Sequence, residues 1–281
     1  MGIRARVITA FYWRSLLLTL LLLSNESSAA LRWHWDDGFT PDEQEKMSRW
    51  LTLTYQALER YAGTPPFDIE LHLHRRDASR EPVPWANTRR DGRQALHFYV
   101  DPTFTVNEFL SDWTAPHEFA HLLLPYLGRD NAWFAEGFAS YLQHSVMVEL
   151  GVIDAAEAER RRNLKIERAL DDLDAETLPL PQNMFALRAR GAYPTFYWGG
   201  AVYFVRVDEQ LKAQGSSLQK VLQEFLQCCR MNRRSLDALA AKLDGLSSTE
   251  LFTRELELMR SEPGCPERSV ASVEGPRKSG P

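Results

Sequence analysis

His117 and His121 stand four positions apart in the segment TAPHEFAH, with Glu118 between them. On a helix, two imidazoles at that spacing leave one face on successive turns and can grip a single ion. Glu118 then lies one residue round the helix, beside the ion rather than on it. That is where a base must stand to take a proton from a metal-activated water. A hydrolytic zinc centre needs a third protein ligand and one open position. Glu136 is the candidate, near the start of the next apolar stretch, AWFAEGFASYLQHSVMVEL. The intervening LLLPYLGRDN contains turn formers, so two helices can pack side by side and bring Glu136 to the two histidines. One zinc ion is the expected cofactor.

The elements that must position these residues can be read outward from them. TPDEQEKMSRWLTLTYQALERYAG opens with Thr40 as a cap and Pro41 in the first turn, carries Met47, Leu51, Tyr55, Leu58 and Ala62 at helical spacing, and stops at Gly63. FDIELHLHRR alternates, with Phe67, Ile69, Leu71 and Leu73 on one face, the pattern of a half-buried strand. His72 and His74 share its polar face, read as solvated because no acidic or thiol partner is evident. A second strand, QALHFYV, follows the turn RRDGR and is expected at the sheet edge, free to pair with an extended substrate. Helical patterning dominates from Val106 onward. DAAEAERRRNLKIERALDDLDAE predicts a surface helix with one buried edge, broken by LPLPQ. Further helices fit residues 196–211, 217–227, 235–244 and 248–260, and the Pro-, Gly- and Ser-rich tail from Ser261 reads as disordered. A few strands followed by many helices make an α+β domain.

HEFAH followed by WFAEGFASY resembles the gluzincin metallopeptidases, most closely the catalytic core of zinc aminopeptidases and the small peptidase MA-like proteins, where the second half reads W-x-x-E-G-(F/L)-A-x-Y. Downstream, AYPTFYWGGAVYFVRVDEQL resembles the aminopeptidase segment Y-E-K-G-A-x-x-x-x-x-L. The resemblance covers about residues 85–245 and implies a thermolysin-like zincin catalytic domain, a small mixed sheet followed by a mostly helical bundle. It implies a peptide or protein substrate and zinc held by His117, His121 and Glu136, with Glu118 as the base. It also puts Tyr197 at the catalytic tyrosine, its phenol donating to the oxyanion, with Gly200 and Ala201 at the following Gly-Ala. The chain departs from the family in three places. The spacing between His121 and Glu136 is shorter than is usual in the aminopeptidases, Gly199 stands where the family has lysine, and the G-x-M-E-N segment that binds a free amino terminus is absent, PWANTRRDG offering no equivalent glutamate. An endopeptidase or a narrow-specificity enzyme is therefore expected over a general aminopeptidase.

Composition sets the remaining bounds. The 281 residues, 44% apolar and 25% charged, suffice for one full-sized core, expected over residues 31–260. Residues 1–30 hold Arg4, Arg6 and Arg14, the apolar run SLLLTLLLLS, and small residues before Leu31, the order of a secretory signal peptide. The chain is expected to be exported, periplasmic or secreted, and to meet a membrane only if that segment is retained as an anchor. A net charge of −5 gives no electrostatic reason to bind nucleic acid. Among the three cysteines, a bridge from Cys228 or Cys229 to Cys265 is expected, since neighbouring cysteines seldom pair. Two other readings remain open: a zinc-binding scaffold without turnover that recognises an envelope partner, and a fortuitous motif in a metal-free helical protein.

Overall fold

The computed structural model describes residues 29–266 apart from 91 and 233, so the expected signal segment falls outside the described residues except for Ala29 and Ala30. Among these residues four strands, β1 (Leu31–Trp35), β2 (Ile69–Arg75), β3 (Trp85–Arg89) and β4 (Ala95–Val100), form one mixed sheet in the order β1-β2-β4-β3. β1, β2 and β4 run parallel, and β3 returns antiparallel to β4. The alternation in the sequence fixes the two faces. Ile69, Leu71 and Leu73 of β2 and Leu96, Phe98 and Val100 of β4 are buried on the inner face, while Glu70, His72, His74, His97 and Tyr99 lie on the outer one.

Among the described residues ten α-helices complete the architecture: α1 (Pro41–Ala62), α2 (Val106–Ser111), α3 (Thr114–His121), α4 (Ala132–Glu149), α5 (Ala155–Leu173), α6 (Leu180–Ala189), α7 (Tyr193–Ala213), α8 (Leu218–Cys228), α9 (Leu236–Ser247) and α10 (Leu251–Ser261). The α+β order read from the sequence is the order found. α1 begins as expected: Thr40 and Glu43 cap each other, Pro41 occupies the first turn, and Gly63 closes the helix with a positive φ of 88°. Its buried face, with Trp50 against Phe98 and Tyr55 against Phe119, glues the sheet to α3. α3 is buried at every residue, so the HEFAH segment lies inside the molecule between sheet and helices. Among the described residues no helix is long and apolar enough to cross a membrane.

Four expectations are corrected. The strand QALHFYV is interior rather than at the edge: β4 pairs on one side with β2 and on the other with β3, and the edge strand on that side is WANTR. Five residues without apolar alternation hid β3 from a period-two reading. The cysteine bridge joins the neighbours Cys228 and Cys229 at the end of α8, while Cys265 stays a thiol. Cys265 packs against Gly199 of α7, its sulfur 3.6 Å from that carbonyl, and burial pushes the thiol up to about 12. The start of the expected disordered tail is structured, Ser261 ending α10 and Gly264 bridging to Pro179 with its carbonyl accepting from the Leu180 N–H, and the rest of that tail, residues 267–281, lies outside the described residues. His72 has the acidic partners the sequence did not reveal, Asp36 and Glu70.

Candidate active site

α3 delivers His117, Glu118 and His121 from one buried turn, and α4 delivers Glu136 from the second turn of the neighbouring helix. The spacing of these residues predicted the meeting, and it occurs. Nε2 of His117 lies 3.1 Å and Nε2 of His121 3.4 Å from the same oxygen, Oε2 of Glu136. Bonds of about 2.0–2.1 Å to a tetrahedral ion put neighbouring ligand atoms about 3.3–3.4 Å apart, and both histidine–carboxylate separations match that spacing. The chemistry fits as well, two imidazoles and a carboxylate whose ligand atoms lie within 4.8 Å of one another; Nδ1 of His121, on the side of the ring away from Glu136, is buried and lacks a hydrogen-bond partner among the described residues.

Electrostatics draw the same three groups together. Burial alone would push the Glu136 carboxyl up, but the charge of His121 and the hydrogen bonds from both imidazoles outweigh it and hold it well below the usual carboxylate range. His117 is shifted the other way: burial opposes its charge, and the adjoining Glu136 overcomes that and raises it. Its other nitrogen, Nδ1, is 3.0 Å from Oε1 of Gln143, one α4 residue that the sequence reading missed. With Nδ1–H donating to that amide oxygen, Nε2 is the nitrogen left to face an ion.

Glu118 is placed by the edge strand. Thr88 of β3 donates its hydroxyl to Oε2 of Glu118 at 2.6 Å, and the same hydroxyl lies 3.1 Å from the Glu118 carbonyl. One face of the carboxylate is thereby fixed and the other is left toward the cavity. Arg90, just beyond the end of β3, donates to the carbonyls of His121 at 2.7 Å and Leu124 at 3.2 Å, holding the end of α3 where backbone acceptors would otherwise be orphaned. Burial lowers the pKa of Arg90, offset by the charges of Glu136 and Glu118. Neither Thr88 nor Arg90 carries a spacing signal, and only the sheet register brings them here.

Tyr197 reaches the site from α7. Its ring centroid is 6.0 Å from that of His117, and it lines the same cavity of about 380 Å³ as the three candidate ligands, Glu118 and strand β3. Burial, and then the carboxylates of Glu136 and Glu118, push its phenol well above the ordinary value, so it remains a proton donor. The reason α7 comes so near is a pair of glycines. A Cβ on Gly200 would sit 2.1 Å from the Trp133 carbonyl oxygen, and one on Gly137 would sit 2.3 Å from the Gly200 carbonyl carbon. α4 and α7 thus cross backbone to backbone, at the residue next to Glu136 and about one turn from Tyr197. Gly199, at the lysine position of the resembling family, faces Leu173 and Leu180 instead of the cavity.

The cavity rim adds Trp85 and Trp113, both about half exposed, and Glu81, an exposed carboxylate in the loop before β3. No glutamate projects from β3 itself, where Asn87 and Thr88 line the wall.

No family model and no curated protein matches the chain by sequence. Solved structures do match by shape. A point variant of an M1 zinc metallopeptidase from Deinococcus radiodurans aligns with TM-score 0.50 at 15% identity, over 84% of this chain and 49% of that one. A two-domain M1 zinc metallopeptidase variant bound to L-tryptophan aligns with TM-score 0.50 at 15% identity, over 84% and 50%. The chain spans about half the length of these structures. At that identity the likeness is one of fold: this chain shares the architecture of one part of the M1 zinc metallopeptidases.

Proposed function

We propose that the chain is a zinc-dependent peptide hydrolase of the gluzincin type, built on a thermolysin-like zincin catalytic domain. The observation that carries the reading is the convergence of His117, His121 and Glu136 on one point beside Glu118, at separations of 3.1 and 3.4 Å. A single zinc held there would lower the pKa of a bound water and polarise the scissile carbonyl. Glu118, steadied by Thr88, takes the proton of the attacking water and returns it to the leaving amine. Tyr197 donates its phenolic proton in a hydrogen bond to the tetrahedral oxygen, a contact worth about 3–4 kcal/mol in comparable oxyanion sites. The outer edge of β3 offers unpaired backbone groups on which an extended substrate can lie as an added strand.

Glu118→Gln keeps the shape of the site and removes its base. Peptide turnover should fall by about 10²–10⁴-fold with zinc retained. Turnover undiminished in this variant would exclude the mechanism.

The absence of a carboxylate on β3 supports internal or narrow-specificity cleavage. A second reading is favoured by Glu81 at the rim, whose charge can hold a substrate's free amino group and make the enzyme an aminopeptidase. Matched peptides with free and acetylated amino termini separate the two. Comparable cleavage of both supports the first, while a strong preference for free termini, lost in Glu81→Gln, establishes the second.

Export belongs to the same proposal. Its support is the order of Arg4, Arg6 and Arg14, an apolar run and small residues in the first thirty positions.

A further inference from the structure

Four of the seven histidines lie away from the active site on the outer face of the sheet. Strand register gathers them: His34 of β1 stands opposite His72 of β2, which stands opposite His97 of β4. His74, two residues beyond His72, shares their face.

These imidazoles are not equivalent. His74 and His97 satisfy each other, with Nε2 and Nδ1 3.1 Å apart. Nε2 of His34 is buried with no hydrogen-bond partner among the described residues. His72 is arranged as metal-binding imidazoles are. Its Nδ1 lies 2.9 Å from Oδ2 of Asp36, which fixes the proton there and leaves the Nε2 lone pair free, 3.7 Å from Oε2 of Glu70. Ligand atoms of His34, Glu70 and His72 all lie within 4.8 Å of one another.

We propose that His34, Glu70 and His72, braced by Asp36, form a second metal site, separate from the first, that takes a zinc-like divalent transition ion. Two imidazoles and one carboxylate suit such an ion, whereas calcium and magnesium require shells built mainly of oxygen. The rings of His34 and His72 are stacked, centroids 4.3 Å apart with 6° between planes, so their lone pairs lie in parallel planes. His72 is held by Asp36 and by stacking on His97, and rotation of the His34 ring about its soft χ2 torsion tilts its lone pair toward that of His72. All three residues are partly exposed, which gives the ion a route from solvent. Glu70 is engaged by Arg93 at 3.5 Å, but that arginine is 78% exposed and the pair is a weak, screened competitor. An ion here ties β1, which has one sheet neighbour, to β2 through side chains as well as backbone.

The test counts zinc by equilibrium dialysis on the full chain. Wild type should bind two ions, His117→Ala/His121→Ala should keep one, and His34→Ala/His72→Ala should also keep one. Combining all four substitutions should leave none. Circular dichroism checks each variant for folding; if the His34→Ala/His72→Ala pair unfolds the sheet, Glu70→Gln decides, with an expected loss of at least about tenfold in affinity for the second ion. A single zinc in wild type that is lost with His117→Ala/His121→Ala overturns the proposal. So does a second zinc whose binding is untouched by these substitutions. Loss of the first ion alone leaves this site standing, so failure at either centre is read separately.

Discussion

His117 is constrained at both nitrogens, by Gln143 at Nδ1 and by Glu136 at Nε2, and the two contacts have different sequence visibility. Glu136 follows from the motif, because helical periodicity aligns His117 with His121 and the next helix carries one acidic residue close to its start. Gln143 is seven residues further along α4, and its role appears only when α4 packs beside α3. Thr88 and Arg90 are hidden for the same reason, since a contact made across a sheet edge has no fixed spacing from the helix it supports. The contribution of Gln143 is measurable. Gln143→Leu removes the acceptor that fixes the His117 tautomer, and zinc affinity at the active site should fall by about 10–100-fold. Competition with a chromophoric chelator reads it, and an unchanged affinity would show that the ring is held by packing alone.

Elements were legible where pattern and length agreed and obscure where they did not. α1 could be read to its caps because Thr40, Pro41 and Gly63 each perform a distinct chemical task. LRWHW alternates but runs for only five residues, and WANTR, equally short, lacks the apolar-polar alternation that marks β2 and β4, so neither is legible as a strand. The cost was large, because β3 is the wall of the cavity and β1 supplies His34. The crossing of α4 and α7 was seen only as glycines in a resembling motif, and its physical cause is the lack of room for a single Cβ. Gly200→Ala forces that atom into the Trp133 carbonyl. Overpacking of this kind should cost about 1–3 kcal/mol, read as a lower midpoint in chemical denaturation, and turnover should fall with it as Tyr197 moves away from His117. Stability and turnover both equal to wild type would mean the helices do not meet as described.

At the scale of the molecule, one core unites the sheet, α3 and the helical layer, and the candidate centre sits at their junction instead of on a loop. Rigid elements on every side explain how three ligand atoms from two helices can stand within 4.8 Å of one another. The fold class was readable from element order because a few strands followed by many helices admit few arrangements. The cysteine pairing was not, since it depends on where α10 and the chain after it return against α7. The central claim is that one ion is shared by His117, His121 and Glu136. Crystals grown with zinc, measured at the zinc absorption edge, test it most directly. The account predicts an anomalous peak about 2 Å from Nε2 of His117, Nε2 of His121 and a carboxylate oxygen of Glu136. Those three side chains in clear density with no peak between them would contradict it.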